Sequence, residues 1–165
     1  MSPRVVFGGL ALVLLAVNGL VASKEWLLQR GDVLLLPLEK RDPRSLMQGD
    51  YMTLNYALSR DALAAQPQPP RDGHLVVKVG EDRIATFARF HAGEPLQPGE
   101  HLLRYRRREE AGALRLGAES FFFQEGHAGL YSRARYGVLR VTASGDSVLE
   151  GLADEQRQSI GSTPR

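Results

Sequence analysis

The sequence predicts a mainly β fold: a small antiparallel barrel or sandwich-like domain after an N-terminal transmembrane helix. Three observations carry that expectation. Val5–Ala22 is apolar apart from Asn18. Beyond it, short stretches alternate apolar and polar residues with the period of two that strands show. Gly, Pro and Asp clusters then punctuate those stretches at short intervals, the turn frequency of an antiparallel domain.

Residues 1–23 form the N-terminal segment. An α-helix rises about 1.5 Å per residue, so the apolar run lies at the short end of what crosses a bilayer. It exceeds the roughly 7–15 residues of a secretory signal core, and Val21-Ala22-Ser23 lacks a clean A-x-A cleavage pattern. An uncleaved signal anchor is therefore preferred to a cleaved signal or a buried core helix. Arg4 lies on one side, but Lys24, Arg30, Lys40 and Arg41 lie on the other, so the positive-inside count does not favour export. The carboxyl part is still expected outside the cytoplasm, because one apolar segment at the extreme N-terminus behaves as an export signal.

The domain spans residues 24–153. Asp32–Leu38 is a dense apolar run, and Pro37, with no amide proton for a ladder, marks it as an edge strand or ends it. Asp42-Pro43-Arg44-Ser45 bends the chain, and Gly49-Asp50 releases it into a strand over Tyr51–Leu58. Met52, Leu54, Tyr56 and Leu58 share one face of that strand; Tyr51, Thr53 and Asn55 share the other. Gly31-Asp32 and Gly49-Asp50 are both strand starts, and two copies do not make a repeat. Arg60–Ala65 reads as a short helix or turn, and Gln66–Gly73, with Pro67, Pro69 and Pro70, as a loop. His74–Val79 and Arg83–Phe90 flank a hairpin connection at Gly80-Glu81-Asp82. Ala92–Glu100 is a loop. His101–Arg108, Leu114–Leu116 and Ser120–Phe123 follow as strands, then a short helix within Gly126–Ala134. Tyr136–Thr142 and Ser147–Leu152 close a hairpin, and residues 154–165 form a polar, flexible tail.

Gly49-Asp50-Tyr51, Leu54 and Tyr56 stand at every named position of the bacterial GDYXXLXY family, and the chain closely resembles it. Asp42-Pro43-Arg44 is similar to the family's approach to the motif, although Glu39-Lys40-Arg41 precedes it here. Phe121-Phe122-Phe123 with Glu125-Gly126, Arg135-Tyr136-Gly137 with Arg140-Val141, and Gly145 with Leu149-Glu150-Gly151-Leu152 resemble later blocks. The resemblance implies a small bacterial protein, often with an N-terminal membrane segment. It supplies no catalytic residues.

Composition excludes some chemistry. Lys and Arg number 21 against 19 Asp and Glu, a net charge of +2, too small to imply nucleic acid without a concentrated patch. There is no cysteine, hence no disulfide or thiolate site. His74, His91, His101 and His127 are scattered without ligand spacing, so no metal and no cofactor are expected. Arg30-Gly31-Asp32-Val33 is similar to a strand start of type I signal peptidases. The accompanying serine-methionine-x-proline segment is absent, and Ser23 with Lys24 or Lys78 is a poor Ser/Lys pair. Asp42 and Asp50 are typical bend residues before they are a carboxylate pair. The candidate contact residues are therefore Asp42, Gly49, Asp50, Tyr51, Thr53, Asn55 and Tyr56. Arg104, Arg106 and Arg108, on one strand face, are candidates for a lipid or acidic-partner contact.

The combined expectation is a single-pass protein of the bacterial inner membrane. Its extracytoplasmic domain serves as an accessory or interaction module, beside the membrane and a polytopic membrane protein. The alternative is an envelope hydrolase with a carboxylate/tyrosine or Ser/Lys site.

Overall fold

A computed structural model describes residues 3–39, 47–48, 51–108 and 113–161. The chain opens with α1 (Pro3–Arg30) and passes through Gly31 into β1 (Asp32–Pro37). There follow β2 (Met47–Gln48), β3 (Tyr51–Thr53), α2 (Ala57–Ala65), β4 (Asp72–Val79), β5 (Ala85–Phe90) and β6 (Glu100–Arg107). The rest comprises β7 (Leu114–Arg115), β8 (Ser120–Phe122), α3 (Ala128–Tyr131), β9 (Tyr136–Val141), β10 (Ser147–Ala153) and β11 (Ser159–Ile160).

The fold is mainly β, and its ladders are antiparallel. Two four-stranded sheets, ordered β1-β9-β10-β11 and β5-β4-β6-β7, carry most of it. They meet where Leu35 bridges Ile84 in parallel, with the Leu35 amide donating to the Arg83 carbonyl at 2.9 Å. The strands curl into a half-barrel rather than the closed barrel or sandwich that strand counting suggests. Strand β1 ends at Pro37 and lies at the end of its sheet, as a residue without an amide proton requires.

The core lies inside this curl. Leu34 and Leu36 of β1, Leu139 and Val141 of β9, and Leu152 of β10 meet Leu75, Val77 and Leu103 of the other sheet. Strand β9 shows why alternation suffices: Gly137, Leu139 and Val141 are buried and the residues between them are not. Helix α2 buries Leu58 and Ala62, one turn apart, and ends at Gln66-Pro67 because proline cannot continue it.

Several expectations are revised. The motif strand is a ladder only over Tyr51–Thr53, and Leu58 belongs to a helix beginning at Ala57, not Arg60. Leu58 is buried all the same, because an inward strand residue and the first helical turn present the same face to the core. Arg83 lies in the β4–β5 turn, not in a strand. The polar tail contributes β11, which pairs Ile160 with Leu152 and buries the Ile160 side chain. Helix α1 continues past the expected boundary at residue 23 to Arg30. Among the described residues no helix is both long and apolar enough to cross a membrane; the side chains described in α1 are those of Phe7–Ala22.

Candidate functional site

The motif segment is zipped between two distant parts of the chain. On one side β3 pairs with β8, with Tyr51 opposite Phe122, Met52 opposite Phe121 and Thr53 opposite Ser120. The pairing continues past the ladder, where the Leu54 amide donates to the Glu119 carbonyl at 2.8 Å. On the other side β3 pairs with β2, Leu38 bridges Tyr56, and the Glu39 amide donates to the Asn55 carbonyl at 2.8 Å. Met52, Leu54 and Tyr56 point inward with 4%, 2% and 3% of their surface exposed, the parity read from the sequence.

Tyr56 closes the zipper. Its hydroxyl donates to the Ala118 carbonyl at 2.6 Å in a buried site. Burial, reinforced by the negative Glu119 nearby, pushes the phenol well above its ordinary pKa. A neutral donor in that position holds strands together and does not act as a base. The ring packs against Gly137 of β9: a Cβ there would stand 2.9 Å from Tyr56 Cε1 and 3.0 Å from its oxygen. Glycine at 137 is therefore a packing requirement of the motif's last residue. Glu119 in turn accepts hydrogen bonds from the amides of Leu116 and Gly117 (2.9 Å for the latter), shaping the turn that offers the Ala118 carbonyl.

The outward residues face solvent. Tyr51 is half-buried and its ring lies 5.9 Å from that of Phe122, tilted by 39°. Thr53 is exposed and Asn55 half-buried, and both line a groove of about 490 Å³. Arg60 and Arg108 contribute to the same groove, with Ser59 and Glu119. The Ser59 hydroxyl donates to the Leu114 carbonyl at 3.2 Å, and Arg60 is held by Asp61 at 2.9 Å. The arrangement offers hydrogen-bonding and cationic groups but no activated nucleophile.

A family model described as GDYXXLXY protein matches residues 13–152. The chain belongs to that family. No curated protein and no solved structure matches it.

In this GDYXXLXY protein, Asp42, Gly49 and Asp50 lie outside the described residues. The groove thus brings together Thr53, Asn55 and Arg108 of the candidate residues. Tyr51 lies on the same strand, and Tyr56 also lines the groove although its ring is committed to the core. The arginine stripe alternates as expected: Arg104, Arg106 and Arg108 are exposed, while Leu103 and Tyr105 are buried. Its charge is met by Asp146, in the β9–β10 turn, for Arg104 at 3.2 Å and by Asp72, opposite on β4, for Arg106 at 2.8 Å. Glu109 and Glu110, next in sequence, lie outside the described residues. Lys78 is exposed on β4, without the burial that a lysine base requires. Among the described residues no group of three His, Cys, Asp or Glu residues is placed to hold a metal ion.

Sequence reasoning missed Ala118, Glu119 and Gly137. Ala118 acts through its main chain and leaves no side-chain signal. Gly137 stands next to an aromatic residue in a strand, the one hint that another side chain approaches the backbone there.

Proposed function

We propose that the protein is a single-pass, membrane-anchored accessory or interaction module whose β domain stands outside the cytoplasm. The observation that supports this reading is the surface of α1. Phe7, Leu12, Leu15 and Leu20 expose 69%, 70%, 75% and 69% of their area, at positions around the helix. A helix apolar on all sides belongs in a membrane or a protein core, and the β domain builds its own core without these residues. The sequence adds Val5 and Val6 to the described apolar stretch, and the helix continues in both directions. At about 1.5 Å per residue the 18-residue apolar run Val5–Ala22 covers about 27 Å, at the short end for a hydrocarbon core of about 30 Å.

An accessory role, rather than hydrolysis, follows from the use of the motif. Tyr56 is consumed by packing, and the outward Tyr51, Thr53 and Asn55 offer contact chemistry. The test is membrane fractionation with alkaline carbonate extraction. The chain should stay in the pellet, and deletion of residues 5–22 should release it. The chain lacks cysteine, so Gln68→Cys, on an exposed loop, reports orientation cleanly. A membrane-impermeant maleimide should label it in intact cells with a permeabilised outer layer. Release of the intact chain by carbonate, or labelling only after lysis, would overturn the reading.

A further inference from the structure

Three turns of the domain share one geometry. In each, the first residue's amide donates to the carbonyl four residues on, and the fourth residue's amide donates back to the first carbonyl. The distances are 2.9 and 2.9 Å at Thr142–Asp146, 3.3 and 2.9 Å at Gly80–Ile84, and 3.0 and 3.0 Å at Asp154–Gln158. The fourth position is left-handed each time, with φ of 85° at Gly145, 62° at Arg83 and 64° at Arg157. The first turn uses glycine, the residue that such a backbone favours. The other two use arginine, and these are the non-glycine residues of positive φ among the described residues. A side chain held in this strained region points to a use for that side chain.

Both arginines line one groove of about 540 Å³. Its floor is the outer face of the β1-β9-β10 sheet, with Val33, Leu35 and Val138, and Gly151, where an added Cβ would meet nothing within 4 Å. The β4–β5 turn forms one wall and the β10–β11 turn the other. Arg83 and Arg157 are exposed and make no ion pair among the described residues. A third arginine, Arg140, is already held by Glu150 at 3.0 and 3.3 Å and donates to the Gly31 carbonyl at 3.3 Å. Three acids line the same groove: Glu150 is taken up by Arg140, Asp82 accepts the Ile84 amide at 3.1 Å, and Glu81 is exposed.

We infer that Arg83 and Arg157 clamp a phosphate group between the two turns, with its carrier lying over the apolar floor. Guanidinium forks carried on two different turns of one groove suit a tetrahedral oxyanion, which offers oxygens to both; a carboxylate's two coplanar oxygens satisfy one fork. Gly31, bonded to Arg140, is the residue that follows the last residue of α1, so the groove opens beside the helix. An anionic phospholipid headgroup is the source that the anchor reading favours, and the lipid source alone rests on that reading; free phosphate is the other.

The test is calorimetric titration of the full chain in an uncharged detergent. The probes are sodium phosphate, sodium acetate, short-chain phosphatidylglycerol and short-chain phosphatidylcholine. Phosphate should bind saturably, with acetate and phosphatidylcholine roughly tenfold weaker or less. Arg83→Gly and Arg157→Gly should each weaken binding about tenfold or more, yet melt no lower than the parent, since glycine relieves the left-handed backbone. Phosphatidylglycerol bound about tenfold more tightly than phosphate assigns the lipid source, and equal binding assigns free phosphate. Phosphate bound no better than acetate, or glycine variants that bind like the parent, overturns the clamp. A chain that fails this titration but resists carbonate loses the clamp and keeps the anchor; the converse result loses the anchor alone.

Discussion

Tyr56→Phe isolates the hydrogen bond that closes the motif zipper. The substitution keeps the ring against Gly137 and removes one oxygen, leaving the Ala118 carbonyl buried without its 2.6 Å donor. An unsatisfied buried acceptor costs about 1–3 kcal/mol, partly offset because the phenol no longer needs desolvation, so a loss of about 1–2 kcal/mol is expected. For a domain of this size, that corresponds to a fall in melting temperature of about 4–8 °C. Gly137→Ala attacks the same contact from the other side: its Cβ would stand 2.9 Å from Tyr56 Cε1 and 3.3 Å from Leu139 Cδ1. Overpacking there should cost about 1–3 kcal/mol. In a Tyr56→Leu background the alanine should be better tolerated, with a coupling of about 1 kcal/mol. Thermal unfolding followed by near-ultraviolet circular dichroism reads the parent and all four variants. A Tyr56→Phe variant as stable as the parent, or additive effects in the cycle, would refute the docking argument.

Acid should loosen the Ala92–Glu100 loop. Glu94 is held down at about 2, by its own backbone amide first, then Arg89 and the Ala92 amide, and Arg89 with the Gln97 amide lowers Glu100. Both folded values lie below the unfolded ones, so their stabilisation is intact above about pH 4.5 and is lost as pH falls toward about 2. Melting temperature against pH should show this decline, and Glu94→Gln should flatten it. Arg106→Gln, which breaks an exposed pair with Asp72, should leave the melting temperature almost unchanged at moderate salt. Gly145→Ala should destabilise by about 2 kcal/mol in urea titration, since the residue has φ of 85° and a Cβ there would meet His74 at 2.9 Å and the Arg104 amide at 3.2 Å.

What could be read from the sequence was what obeys a local period. The inward parity of Met52, Leu54 and Tyr56, the β9–β10 hairpin and the alternation of Arg104 and Arg106 all follow from the two-residue repeat of a strand. The start of α2 was hidden because Leu58 is inward under either reading. The partners that give the motif its meaning are separated in sequence, Ala118 by 62 residues from Tyr56. Main-chain carbonyls carry no residue signature, so neither Ala118 nor Glu119 announces itself as a docking partner. The ion pairs of Arg104 and Arg106 are hidden for the same reason: Asp72 comes near through strand pairing and Asp146 through the β9–β10 turn, not through sequence proximity. The left-handed arginines were concealed, Arg83 at the start of an expected strand and Arg157 in the expected polar tail, because residue type alone does not reveal a backbone that glycine would favour.

The central claim is that the motif serves as a docking strand for residues 118–122. Amide hydrogen exchange at Leu54, whose N–H meets the Glu119 carbonyl at 2.8 Å, tests it most directly. The account predicts protection of that amide to the level of global unfolding, matching Leu139 in the core. Exchange at Leu54 at the rate of an open loop, while Leu139 stays protected, would contradict it.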